Sequence, residues 1–155
     1  MLFSTVGLVN YGYVLLTKPD RVATAPQLCA AFVDGMLEGL KATMLDPAEA
    51  MKLFFRQVPE MALAAQAKEQ IRVGTGIMIY AATHPVIKAN GLGWIDPKVY
   101  ETQTDLIMRY VAKPDDKRPT MDSLMTNRFT GSVKISATEF DEAQKNSEAF
   151  RTYVT

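Results

Sequence analysis

Few side chains in this 155-residue sequence are of a type and spacing that could do chemistry. The one histidine, His84, precedes Pro85, and no second histidine or cysteine stands at the spacing of a metal site. No Gly-x-Ser-x-Gly elbow supplies a nucleophile for which His84 would be the base of a Ser-His-Asp arrangement. We therefore predict no catalytic residue and no metal site, and we interpret His84 as a hydrogen-bonded surface residue.

The acidic residues and the glycines have structural explanations. Asp20, Asp46 and Asp96 lie beside prolines or at predicted helix starts, where an aspartate caps the helix. The pair Gly91 and Gly93 lacks the third glycine of a dinucleotide-binding loop and follows no predicted strand. The sequence thus predicts no cofactor, and we do not expect an enzyme.

The most suggestive polar groups lie near the N-terminus. Asn10, Tyr11 and Tyr13 surround Gly12 at the junction of two apolar segments. Residues at the ends of strands in an open α/β sheet border the crevice in which ligands bind. We predict Asn10, Tyr11 and Tyr13 as ligand-binding residues, while a packing role stays the alternative for Tyr11.

The elements that would position these residues are two buried strands. Residues 2–9 and 13–17 are short, apolar and rich in β-branched or aromatic side chains. Two strands alone do not make a stable sheet, and strands that are apolar on both faces need neighbours. We therefore expect a helix-dominated α/β fold, with one or two N-terminal strands followed by four to five helices. Its remaining strands lie elsewhere or in a second copy, or the chain is an unusually helix-heavy small domain.

Helical spacing begins at Pro26. Apolar residues recur every four positions, with Cys29, Val33 and Leu37 beside them, and predict the wide buried stripe of a helix of about five turns. The members of this stripe are Leu28, Phe32, Met36, Leu40 and Met44. Gly35 and Gly39 lie in the same helix, and because glycine weakens a helix, the pair predicts close approach of another backbone.

Further elements follow from capping signals and prolines. The sequence Asp46-Pro47-Ala48-Glu49 predicts a helix that Pro59 ends. We also predict a helix over 61–80 with a kink or break at 74–76, a helix over 97–111, a helical turn within 120–127, a weak strand over 133–135 and a final, mostly polar helix that starts from a capping box at 136–139.

The connection that precedes the helix over 97–111 is Asn90-Gly91-Leu92-Gly93-Trp94-Ile95-Asp96-Pro97. Glycines tolerate positive φ and allow a tight reversal, Asp96 can cap the new helix, and Pro97 suits its first position. The interpretation is a tight turn that the only tryptophan plugs.

Composition narrows the classes of partner. Seventeen basic and seventeen acidic residues give zero net charge, so no electrostatic footprint for nucleic acid or an anionic membrane is visible. No run approaches the roughly 20 apolar residues of a membrane span. The single cysteine excludes an internal disulfide, and a 48% apolar composition is ample for one core.

Four stretches together resemble a known family. They are residues 2–16, residues 26–50 with their Asp46-Pro47 boundary, the Asn90 to Pro97 turn, and Thr126-Asn127-Arg128-Phe129. Over residues 1–130 the chain resembles the C-terminal part of the type 2 periplasmic substrate-binding proteins of the nitrate, taurine, aliphatic-sulfonate and thiamine-pyrimidine group.

The resemblance implies a periplasmic or extracellular component of an ABC importer. In that family two α/β lobes close on a small solute and present it to an ABC permease. The chain would hold the hinge return strand and helices of the first lobe, with residues 131–155 as a C-terminal extension and any signal peptide outside it. Two alternatives stay open: a self-associating module, in which a homodimer completes the sheet, and a pyrimidine-precursor synthase of the thiamine pathway, which is an enzyme of the same superfamily.

Overall fold

Most helices of the described chain begin at a proline. A computed structural model describes residues 14–63 and 65–148, and six of the nine helices in that part of the chain begin at a proline, whose missing N–H has no partner in a first helical turn anyway. The helices are α1 (Pro19–Thr24), α2 (Pro26–Leu45), α3 (Pro47–Gln57), α4 (Pro59–Leu63), α5 (Ala65–Ala82), α6 (Pro85–Asn90), α7 (Pro97–Tyr110), α8 (Met121–Leu124) and α9 (Ala137–Glu148).

The predicted α/β fold is wrong. The described residues contain no strand, and residues 14–17, the described part of the second predicted strand, are exposed and irregular. The most exposed of their large apolar side chains is Leu16, at 89%. Apolar, β-branched composition favours a strand only where another strand completes the hydrogen bonds, and the described residues supply none. The strand predicted over 2–9 lies outside the described residues.

Two aspartates cap helices as the sequence predicts. Asp46 Oδ1 accepts a hydrogen bond from the Glu49 amide at 2.9 Å, and α3 begins at Pro47. Asp96 Oδ1 accepts one from the Lys98 amide at 2.9 Å, and α7 begins at Pro97. Each side chain satisfies an amide that the first helical turn leaves unpaired.

The stripe predicted on α2 is only partly buried. Leu37 and Met44 point into the core, but Leu28 and Phe32 each remain 60% exposed and Met36 50%. The core-facing side of α2 is therefore the part of the predicted stripe that carries Val33, Leu37, Leu40 and Met44. The prediction that Leu28, Phe32 and Met36 are buried is wrong for the described structure.

The core lies where α2, α5 and α9 pack together. Its buried members come from these helices and from two connecting segments: Leu37, Met44, Ile79, Leu92, Val133 and Ala143. Val33, Leu40, Ala82, Ile87 and Ile135 pack around them. Burial of this apolar surface is the main favourable term for holding the three helices together.

The structure differs from two further predictions, one for α5 and one for residues 133–135. Helix α5 runs unbroken through Gly74 and Gly76, so the predicted break is absent. Gly76 is buried, which indicates that packing compensates for its weak helix propensity. The segment 133–135 is not a strand; its apolar alternation places Val133 in the core without any pairing partner.

Helix α9 starts from the predicted capping box and is fastened to α2. Ser136 Oγ accepts from the Glu139 amide at 3.2 Å, and Glu139 Oε2 accepts from the Ser136 amide at 2.7 Å. Lys41 on α2 donates to Glu139 Oε1 at 2.9 Å and to the Lys134 carbonyl at 2.7 Å. One carboxylate therefore serves both the helix start and the contact between helices.

This arrangement predicts acid sensitivity. The Ser136 amide, and next the Lys41 ammonium, lower the pKa of Glu139 from its ordinary 4.5 to about 2. A folded-state pKa below the unfolded value stabilises the fold above about pH 4.5, and the contribution disappears as the pH falls toward 2. We expect Glu139→Gln to reduce the free energy of unfolding at pH 7 and to have a progressively smaller effect at pH 4 and pH 3, as measured by urea denaturation.

Glu142→Gln is the matched control, because Glu142 is an exposed carboxylate of the same helix whose charge has no such role. A destabilisation by Glu139→Gln that stays constant from pH 7 to pH 3 would contradict the assigned role of the carboxylate charge.

Candidate functional site

Three of the four stretches on which the predicted family resemblance rests contact one another in one place, which we call the motif junction: Leu37, residues 90–97 and residues 126–130. Its polar centre is Asn127, whose side-chain Nδ2 donates to the Ile95 carbonyl at 3.0 Å and whose Oδ1 accepts from the Ile95 amide at 2.8 Å. The side-chain amide thus bonds the backbone of Ile95 as another peptide group would. This contact fixes the segment after α8 to the turn before α7.

The apolar side of the motif junction depends on Gly93. Its φ is +79°, and a Cβ built on it would lie 3.1 Å from Leu37 Cδ2 and 3.3 Å from Thr130 Cγ2. Only glycine fits this combination of positive φ and close approach without strain. Leu92 is 1% exposed and fills the core beneath the turn, whereas Trp94 is only half-buried. The side chain that anchors the turn in the core is therefore Leu92 rather than the predicted Trp94.

Between these two stretches, side-chain contacts join α7 to the segment that follows it. The Tyr100 hydroxyl donates to the Pro119 carbonyl at 3.0 Å. Arg118 donates to Glu101 Oε2 at 2.5 Å and to Asp105 Oδ1 at 2.6 Å. Both carboxylates raise the pKa of the arginine, with Glu101 the larger cause. These contacts hold the charged segment after α7 against the helix that precedes it.

A second feature is the exposed apolar face of α2, which consists of Leu28, Phe32, Met36, Gly35 and Gly39. No atom of the described residues lies within 4 Å of a Cβ built on either glycine, apart from the helix backbone itself. Large apolar side chains beside two open glycines are typical of a surface that another element packs against closely. The sequence predicts close approach at Gly35 and Gly39, and no described residue provides it.

The described chain has an open hollow of about 230 Å³ around His84, lined by both polar and apolar surface, which we call the polar cavity after its hydroxyl, amide and carboxylate groups. Its lining comes from the end of α5, the start of α6 and the last described turn of α9: Tyr80, Thr83, His84, Pro85, Gln144, Ser147 and Glu148. His84 is exposed, and its Nδ1 accepts from the Val86 amide at 3.3 Å, so the side chain caps α6. Lys88 of α6 pairs with Asp141 of α9 at 2.8 Å and holds the two helices together.

A second hollow, of about 200 Å³, lies between α7 and α8. Its lining is almost entirely apolar: Tyr100, Gln103, Thr104, Ile107, Met108, Pro119, Leu124 and Met125. Tyr100 offers only its ring there, because its hydroxyl bonds Pro119. The two methionines make this surface adaptable in shape.

The predicted ligand-binding residues Asn10, Tyr11 and Tyr13 lie outside the described residues, so their positions stay predictions. Among the described residues no three His, Cys, Asp or Glu side chains are grouped as a metal would require. The same part of the chain has no helix that is long and apolar enough to cross a membrane.

Two kinds of residue in these sites were not predicted from the sequence. Asn127 belongs to a motif that the sequence marked, but its partner Ile95 stands 32 residues away, and no local signal links the two. Thr83 and Ser147, which are 7% and 1% exposed and line the polar cavity, carry no motif.

Comparison of the whole chain with family models, with curated proteins and with solved structures gives no match.

Proposed function

We propose that the chain is the substrate-binding component, or a portion of it, of an ABC importer for a small organic or oxyanion solute such as a sulfonate, nitrate or a pyrimidine. The observation that supports the proposal is the motif junction, in which three of the four stretches that resemble the family contact one another. Asn127 bonds Ile95, and Gly93 lies against Leu37, so these residues act as one unit.

The exposed apolar face of α2 supports the same proposal. In the family that the chain resembles, the corresponding helix belongs to the first of two lobes. Leu28 and Phe32, both 60% exposed, would then be covered by the remainder of that lobe. Asn10, Tyr11 and Tyr13 would border the cleft, the ligand would be bound without chemical change, and the complete protein would act in the periplasm or outside the cell with an ABC permease as its partner.

The test is calorimetric titration of the product of the complete reading frame with taurine, other sulfonates, nitrate and pyrimidines. We expect one class to bind, and we expect Tyr11→Ala to weaken that binding at least tenfold. Tyr110→Ala is the matched control, since Tyr110 is 70% exposed on α7, and it should leave the affinity unchanged. A folded protein that binds none of these solutes would refute the proposal.

A second candidate function is a self-associating module that uses the exposed apolar face of α2. The open space at Gly35 and Gly39 favours it, because two copies of the helix could approach closely there. Sedimentation analysis of the 155-residue chain distinguishes the candidates. A stably folded chain that stays monomeric at 100 μM would exclude self-association and leave the substrate-binding proposal intact.

A further inference from the structure

The polar cavity around His84 has features of a binding site that the proposed function does not use. Its volume of about 230 Å³ is below the roughly 300 to 1,000 Å³ of sites for drug-sized molecules, so its ligand is small. The inference that follows is independent of the proposed solute cleft at Asn10, Tyr11 and Tyr13.

Two buried hydroxyl groups make the cavity a hydrogen-bond acceptor. Thr83 Oγ1 donates its hydrogen to the Tyr80 carbonyl at 2.9 Å, and Ser147 Oγ donates its hydrogen to the Gln144 carbonyl at 2.8 Å. A hydroxyl has one hydrogen and two lone pairs, so each oxygen has only lone pairs left for a ligand. These two oxygens therefore favour a molecule with N–H or O–H donors.

The charge of the lining also favours a ligand with hydrogen-bond donors. Glu148 is the one acidic residue among the described residues of the lining. Glu148 already has a partner within the fold, but a carboxylate has about four lone-pair sites and can accept another donor. The C-terminal end of α5 adds a partial negative charge at Thr83. A positively charged donor group is favoured in such surroundings.

The remaining lining is rich in rings, which come from Tyr80, His84 and Pro85. Flat, partly apolar surfaces of this kind accommodate the hydrocarbon body of a small ligand, and an aromatic ring attracts an adjacent cation. We infer that the cavity between α5, α6 and α9 binds a small organic ammonium ion, whose charged nitrogen lies beside Glu148 and the hydroxyl oxygens and whose body lies against the rings.

The test uses benzylammonium chloride as the probe and nuclear magnetic resonance of the ¹⁵N-labelled 155-residue chain as the readout. We expect saturable shifts of the amide signals of Tyr80, Thr83 and Ser147. Benzyl alcohol, a neutral molecule of nearly the same shape, should bind at least tenfold more weakly to the unmodified protein. Equal affinity for the two probes, no shift with either, or shifts confined to other helices would overturn the inference.

A variant pair then tests the carboxylate. Glu148→Gln should weaken benzylammonium binding about tenfold and leave benzyl alcohol binding within twofold. Glu142→Gln removes an exposed carboxylate of the same helix that does not line the cavity, and it should change neither. A similar loss in both variants would show a long-range charge effect and would contradict the assignment of Glu148. Because the comparison of the two probes needs no variant, the inference remains testable even if Glu148→Gln disturbs α9.

Discussion

Leu92→Ala is expected to lower the free energy of unfolding by about 2 to 5 kcal/mol, the usual cost of removing a buried leucine side chain. Leu92 is 1% exposed and belongs to the core cluster with Leu37 and Met44, although it lies in a turn rather than in a helix. Truncation would leave a void where the turn meets the helices. Urea denaturation of the 155-residue chain, followed by circular dichroism, gives the value.

Leu63→Ala provides the matched control, because it removes the same atoms from a side chain that is 88% exposed. We expect that substitution to change the free energy of unfolding by no more than about 0.5 kcal/mol. Similar effects of the two substitutions would contradict the packing assigned to Leu92 and would leave the half-buried Trp94 as the main anchor of the turn.

Gly93→Ala is expected to destabilise the fold by about 2 to 5 kcal/mol for two additive reasons. A side chain at the φ of +79° costs about 1 to 2 kcal/mol. The added methyl group would also lie 3.1 Å from Leu37 Cδ2 and 3.3 Å from Thr130 Cγ2, and overpacking of this kind typically costs about 1 to 3 kcal/mol. The same denaturation experiment measures the sum.

Gly131→Ala separates the two contributions. Gly131 has a φ of +92°, but no atom lies within 4 Å of a Cβ built on it, so only the backbone cost should appear there. An effect at Gly93 that is no larger than the effect at Gly131 would mean that Leu37 and Thr130 move aside freely, and the motif junction would then be looser than its distances indicate.

The helix boundaries were the most predictable part of the fold because their causes are local. Asp46 and Asp96 each cap a helix with a proline at its first position, and both signals lie within four residues of the bond they form. The same holds for Ser136 and Glu139 at the start of α9. Helices α1 and α6 also start at prolines, but they are too short for periodicity to reveal.

The burial of α2 was not predictable from the sequence to the same degree. Apolar spacing shows that a helix has a face to bury, yet Phe32 and Leu37 both satisfy a helical stripe. Only the positions of α5 and α9 decide that Leu37 is inside and Phe32 is exposed in the described chain. The strands failed for a related reason: a strand depends on a partner, and residues 14–17 have none among the described residues.

The candidate site was predictable as a set of motifs but not as a set of contacts. The turn at Gly91 and Gly93 and the segment at Asn127 were both recognised as motifs in the sequence. The hydrogen bond between Asn127 and Ile95 that joins them depends on the path of the chain between these two residues, which are 32 positions apart. The polar cavity has no signal in the sequence, because Thr83 and His84 are adjacent between α5 and α6 whereas Ser147 comes from the distant helix α9.

The paired bonds of Asn127 with Ile95 make residues 95–127 a closed loop with its own fastenings, namely Tyr100 to Pro119 and Arg118 to Glu101 and Asp105. A protease that cuts in the exposed segment 113–117 would therefore leave two fragments joined by side-chain contacts on both sides of the cut. The same segment could accept an inserted peptide or label, since the ends of the loop are fixed independently of its tip.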